Sequence, residues 1–196
     1  MKRFPPRFPW ITATLAGLFA AASFASADAL EYDRANTIAG EVWRLFTGQL
    51  VHWTPRMAAL DVGMVLGLGI GLELRGDRRL LMASLALGAG LTALAVHALS
   101  PDLMVYRGSS GIASTLFVLA AIRAAQTPDP QIRALAIVAV GLFLGKAAFE
   151  FLVGQMLFAG PLPQGVRVVP LVHLLGGLGG LASCPRDVAH QQATFN

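Results

Sequence analysis

Charged residues in this chain fall mostly between long apolar runs, which cover residues 10–27, 57–74, 80–99, 110–125, 132–158 and 168–182. Segments this apolar cannot all be buried inside a small water-soluble domain. In a bilayer they must be helical, because only a helix or a closed barrel satisfies its backbone amides and carbonyls within hydrocarbon. Composition points the same way, with 55% of residues hydrophobic and 13% charged and a mean hydropathy of +0.62. The expected fold is an all-α membrane protein, a six-helix transmembrane bundle over residues 10–183. A cytoplasmic basic segment is expected at 1–9 and a cytoplasmic tail at 184–196. Crossing ~30 Å of hydrocarbon takes roughly 20 helical residues, and the fourth and sixth runs are shorter. Both are expected to begin below the outer surface, under a water-filled depression.

Lys2, Arg3 and Arg7 precede the first run, which ends in Ala25-Ser26-Ala27. That pattern fits a signal peptide or a first span that is not cleaved, and the uncleaved span is the preferred expectation. Lys2, Arg3, Arg7, Arg75, Arg78, Arg79, Arg123, Arg133 and Arg186 fall on one side of the spans; Arg34, Arg44, Arg56, Arg107 and Arg167 fall on the other. The excess marks the first side as cytoplasmic, placing both termini inside. The pI near 10.0 therefore reflects membrane orientation, and no nucleic acid is expected as a partner. Residues 28–56 mix acids with Trp43, Phe46 and Trp53, which predicts a loop lying at the membrane interface with these aromatics buried. Cys184 is the single cysteine, so neither a disulfide nor a zinc framework can be built. No metal or organic cofactor is expected.

Tyr106-Arg107-Gly108-Ser109-Ser110-Gly111 opens directly into the fourth run. A polar knot at that place is costly unless a cavity or partner receives it. Ser110 precedes the cytoplasmic-end Arg123 by 13 residues, His173 precedes Arg186 by 13, and Asp61 precedes Arg75 by 14. At about 1.5 Å of rise per residue the three share a level ~20 Å above the inner boundary. Gly176 and Gly180 form a Gly-x-x-x-Gly face beside His173, and Ser110 with Ser114 makes a small face on the fourth span. Close packing of those faces would bring an imidazole to a serine hydroxyl, which is a poor nucleophile until a base takes its proton. The alternative is plain packing: Ser-Gly pairs open many membrane helices, and a lone intramembrane histidine often serves only as an interhelical hydrogen-bonding group.

Three stretches taken together carry a family resemblance. The 43–52 stretch Trp-Arg-Leu-Phe-Thr-Gly-Gln-Leu-Val-His, then Gly108-Ser109-Ser110-Gly111, then His173-Leu174-Leu175-Gly176 with Gly180, resemble the signatures of rhomboid intramembrane serine proteases in order and approximate spacing. The Tyr-Arg-Gly-x-Ser-Gly form, the 145–150 stretch Gly-Lys-Ala-Ala-Phe-Glu and the Val-Pro-Leu-Val-His approach to His173 are similar to the rhombosortase branch. The resemblance implies Ser110 as nucleophile and His173 as general base, in a dyad without a third acid. It also implies an oxyanion site of backbone amide, at or near Gly108 and Ser110, with side chains from the second span. The sequence departs there. Met57 stands where a histidine is expected and Asp61 where an asparagine is expected; methionine donates nothing and an ionised aspartate repels an oxyanion. His52 matches an outer-loop histidine that orders the loop or binds water. Gly111, Gly176 and Gly180 are expected at the helix packing beside the site.

The functional expectation is a protease of the bacterial inner membrane, its active site facing the periplasm. The partners implied are the lipid bilayer and membrane-anchored exported proteins, cut at or near an anchor; for the rhombosortase branch that anchor is C-terminal and contains Gly-Gly. Two other classes stay open: a rhomboid-like protein that binds membrane segments without cutting them, and a small transporter whose path is lined by Asp61, Lys146 and Glu150. Lys146 and Glu150, four apart in the fifth run, are expected to pair along one helix face in a structural role. Arg44 and Glu41 are expected to pin the outer loop, and His97 and His190 to be incidental.

Overall fold

In the computed structural model, residues 8–157, 162–164 and 166–184 are described. The expectations on Lys2, Arg3, Arg7, Arg186 and His190 lie outside these residues. Helices dominate the described chain: α1 Trp10–Phe24, α2 Ala27–Leu30, α3 Arg34–Ile38, α4 Arg44–Thr47, α5 Pro55–Leu74, α6 Arg78–His97, α7 Ser110–Ala125, α8 Pro130–Val153 and α9 Pro170–Ser183. Three of them, α5, α6 and α8, are long and apolar enough to cross a membrane; α1, α7 and α9 are shorter apolar helices. Leu135, Ile137, Val138, Leu142, Leu144, Phe151 and Leu152 leave much of α8 covered in exposed apolar side chains. A surface of that kind calls for lipid around it.

Helix ends follow local chemistry. Thr54 caps α5 by accepting from the Met57 amide, with Pro55 in the first turn, and Asp129 caps α8 in the same way ahead of Pro130. The fifth apolar run overshoots its helix, because Gly154 adopts φ 69° and ends α8 there, short of the expected residue 158.

The 28–56 connection is a folded layer containing α2, α3 and α4. It also contributes strand β1 (Tyr32–Asp33), which pairs antiparallel with β2 (Val105–Tyr106), Tyr32 opposite Tyr106. Arg44 fastens it, bonding Glu41 Oε2, the Asp28 carbonyl and the Glu31 carbonyl. Trp43 and Phe46 are not buried as expected: each is 53% exposed, beside exposed Val42 and Ile38, which gives the layer an apolar outer face. His97 is not isolated either, since its Nδ1 lies 3.1 Å from the Tyr32 hydroxyl and its ring meets the Tyr32 ring edge-on.

At the centre stands α7, against which α5, α6, α8 and α9 all pack. Its small residues permit this. A Cβ at Gly176 would overlap the Gly111 carbonyl and stand 3.0 Å from Ser114 Cβ, and one at Gly180 would overlap the Thr115 carbonyl. Thr115 Oγ1 donates to the Gly176 carbonyl at 2.9 Å, tying α7 to α9, and sits 2.7 Å from the Cβ position of Gly88 on α6. The small face of α7 is therefore Gly111, Ser114 and Thr115. Ser110, one turn before Ser114, lines the cavity shared with His173 of α9.

Candidate active site

The knot before α7 is held from the outer layer. Gly108 N–H donates to the Gly48 carbonyl at 3.1 Å, and Gly48 leaves no room for a side chain between the Tyr32 amide and the Tyr106 carbonyl. Gly108 itself takes φ 144°, a backbone conformation that strongly favours glycine. Arg107 reaches back over the Trp53 ring, 4.3 Å from its centroid, and pairs with Glu31 and Asp28 at 2.6 Å each. This bracing fixes where α7 starts. No side chain caps its first amides, so backbone N–H groups at the helix start remain available to an anion.

Ser110 and His173 line one small cavity, with Trp53, Met57, Tyr106 and Arg167 among the other walls. Its enclosed volume is about 20 Å³, room for about one water molecule. The close approach of α7 to α9 places them there: a Cβ at Gly111 would stand 3.3 Å from the Val172 carbonyl, one residue before His173. Ser110 is 9% and His173 4% exposed. Among the described residues, no hydrogen bond joins the two; the Ser110 hydroxyl approaches the Tyr106 phenol. That phenol oxygen is buried and makes no hydrogen bond of acceptable geometry.

The other face of the imidazole meets a carboxylate. His173 Nδ1 lies 2.8 Å from Glu150 Oε2, and Glu150 is buried on α8. Lys146 Nζ contacts both Glu150 oxygens, at 2.8 and 2.9 Å, and lies 3.5 Å from His173 Nδ1. The Leu157 amide donates to Glu150 Oε1 at 3.0 Å. The Lys146–Glu150 pair is formed as its spacing predicts, but it does more than brace a helix face. Together the contacts give the buried carboxylate both a counter-charge and a full set of donors, which makes its burial tolerable. A carboxylate on Nδ1 fixes the tautomer that leaves Nε2 free to accept a proton. The expectation of a dyad without a third acid omitted this group.

A second polar group sits behind the first. His52 Nε2 lies 3.2 Å from Ser109 Oγ and 3.6 Å from Asp61 Oδ2. Asp61 Oδ2 is buried without a hydrogen bond and lies 3.6 Å from the Cβ position of Gly108. So Asp61 lies beside the polar knot, turned toward His52. Ser109 is fully buried and is not among the cavity walls, whereas Ser110 is. Among the described residues no cluster of His, Cys, Asp and Glu is suited to hold a metal ion.

The sequence matches no family model and no curated protein.

Proposed function

We propose that the chain is a rhomboid-like intramembrane serine protease, of the rhombosortase type, that cuts exported proteins at or near a C-terminal membrane anchor containing Gly-Gly. The observation that carries this reading is the alignment Ser110, His173, Glu150: a hydroxyl and an imidazole on one cavity, with a buried carboxylate 2.8 Å behind the imidazole. In the reaction, Ser110 rotates from Tyr106 toward His173 and gives Nε2 its proton as Oγ bonds the peptide carbonyl carbon. The C=O electron pair moves to oxygen. Its return expels the amine, which takes the proton from His173, and leaves an acyl-serine that water hydrolyses by the same proton path. Looseness between nucleophile and base without substrate is common and tightens on binding.

The cavity is too small for an extended peptide, so substrate entry must widen it. An intact helix hides its carbonyls from attack, which favours small or helix-breaking residues near the cut and suits a glycine pair. The site is proposed to lie toward the periplasmic face of a bacterial inner membrane, with six spans.

A fluorophosphonate probe tests the reading on the purified protein. Labelling lost in Ser110→Ala and kept in Ser109→Ala supports it; an unlabelled wild type argues against it and favours the second reading. That second reading is a rhomboid-like protein that binds membrane segments without cutting them. Met57 and Asp61, at positions where oxyanion donors are expected, are the observation in its favour. Transport is the weaker alternative, since Lys146 and Glu150 are occupied with His173 and neither they nor Asp61 lines the cavity.

A further inference from the structure

The serine-nucleophile reading leaves a gap. A tetrahedral intermediate needs donors for its oxyanion, and the second span offers Met57, which donates nothing, and Asp61, whose oxygens accept. Met57 stands in the cavity wall all the same, so no other side chain of α5 fills that spot.

Tyr106 does what those two residues cannot. It is 7% exposed and lines the cavity beside Ser110; its buried hydroxyl has the Ser110 side chain as a neighbour but makes no hydrogen bond of acceptable geometry. A buried hydroxyl held only by a poorly aligned neighbour can take a better acceptor when one enters the cavity. The ring cannot drift away from the site. Its backbone is paired with Tyr32 in the β1–β2 ladder, its carbonyl lies against Gly48, and its side chain belongs to the same buried apolar cluster as Val172, the neighbour of His173. The hydroxyl comes within 3.6 Å of the Cβ position of Gly108, where the absence of a side chain leaves the approach to Ser110 open. Asp61, the acceptor close by, is turned toward His52 at 3.6 Å.

We propose that Tyr106 is a catalytic residue whose hydroxyl donates a hydrogen bond to the oxyanion formed on attack by Ser110. The donor keeps its proton; the charge on oxygen arises from the C=O electron pair, and the proton released by Ser110 goes to His173. The α7 amides supply the backbone half of the same oxyanion site. Tyr106 thus replaces side-chain donors that α5 lacks. This rests on Ser110 being the nucleophile, and the test separates the two claims.

The experiment is the rate of fluorophosphonate labelling of the full chain in lipid nanodiscs, because negative charge builds on the phosphonyl oxygen as Ser110 displaces fluoride, as it does on the peptide oxygen. Tyr106→Phe is expected to slow labelling at Ser110 by about 10²- to 10³-fold, the usual loss for one oxyanion donor. A rate within about threefold of wild type overturns the assignment of Tyr106 while leaving Ser110 as nucleophile. A wild type that does not label overturns both. Should Tyr106→Phe fail to fold, 3,5-difluorotyrosine at position 106 decides. It keeps the shape and the hydroxyl but ionises at lower pH, so labelling must fall with rising pH where the wild type holds; an unchanged profile overturns the proposal.

Discussion

Glu150 illustrates how one side chain can change the chemistry of another across two helices. Its carboxylate accepts from His173, Lys146 and the Leu157 amide, so an amide in its place would keep the shape and lose the charge. Glu150→Gln is therefore expected to slow labelling of Ser110 on the order of 10²- to 10⁴-fold, as loss of the orienting acid does elsewhere. Labelling kinetics alongside a thermal melt would distinguish this from unfolding. Tyr106 carries a pH prediction of its own. Burial raises its phenol pKa well above the ordinary value near 10, the neighbouring Ser110 side chain lowers it less, and the charge of Asp61 raises it further. A raised folded pKa means stability that is fully present below the unfolded value and lost as pH climbs through the folded one. Alkaline denaturation should thus begin above about pH 10, and Tyr106→Phe should flatten it, as equilibrium melts across that range would record. That Ser110 and His173 come to one cavity, with Asp61 near Gly108, was legible because helical rise converts sequence separation into position along a helix. Glu150 was not, because its four-residue spacing from Lys146 speaks only of neighbours on its own helix. Which residue of α8 meets His173 depends on how two helices are rotated against each other, and no periodicity in either reports that.

The packing of α7 on α9 is where helix-scale arguments can be tested. Gly176 touches the Gly111 backbone, whereas a Cβ at Gly141, on the exposed side of α8, would meet nothing within 4 Å. Gly176→Ala is expected to destabilise by about 1–3 kcal/mol through overpacking and to abolish labelling by parting the two helices. Gly141→Ala should leave labelling intact and hold or raise the melting temperature; equal effects at both sites would contradict the packing described. The bounds of α7 were readable to the residue from the change between polar knot and apolar run. Those of α8 were not, since Met156 and Leu157 continue the apolar composition past the backbone turn at Gly154. How far Trp43 and Phe46 are covered was not legible, for a related reason: a large apolar side chain in a loop is equally suited to a core and to a membrane surface. Gly48 against the Tyr32 amide, and the two-residue β1–β2 ladder, left no pattern long enough to read.

For the whole molecule, the layer formed by residues 28–56 and the bundle beneath it are not separable parts. Arg34 on α3 donates to the carbonyls of Val96, His97, Ser100 and Leu103 at the outer end of α6, while Arg107 at the mouth of the site is held by Asp28 and Glu31. At the opposite end of the bundle, Glu73, buried at the last turn of α5, accepts from the Ile11 amide, the Thr12 amide and the Thr12 hydroxyl. The first turn of α1 is thereby stapled to the end of α5. Excision after Ala27 during export would remove all three donors from that buried carboxylate and leave it, among the described residues, Arg78 at 3.3 Å. A leader peptidase would thus be dismantling a wall rather than trimming a label. Intact mass of the membrane-extracted protein should include residues 10–24, and Glu73→Ala should loosen α1 enough for a protease to clip it there. Biogenesis and architecture share one carboxylate.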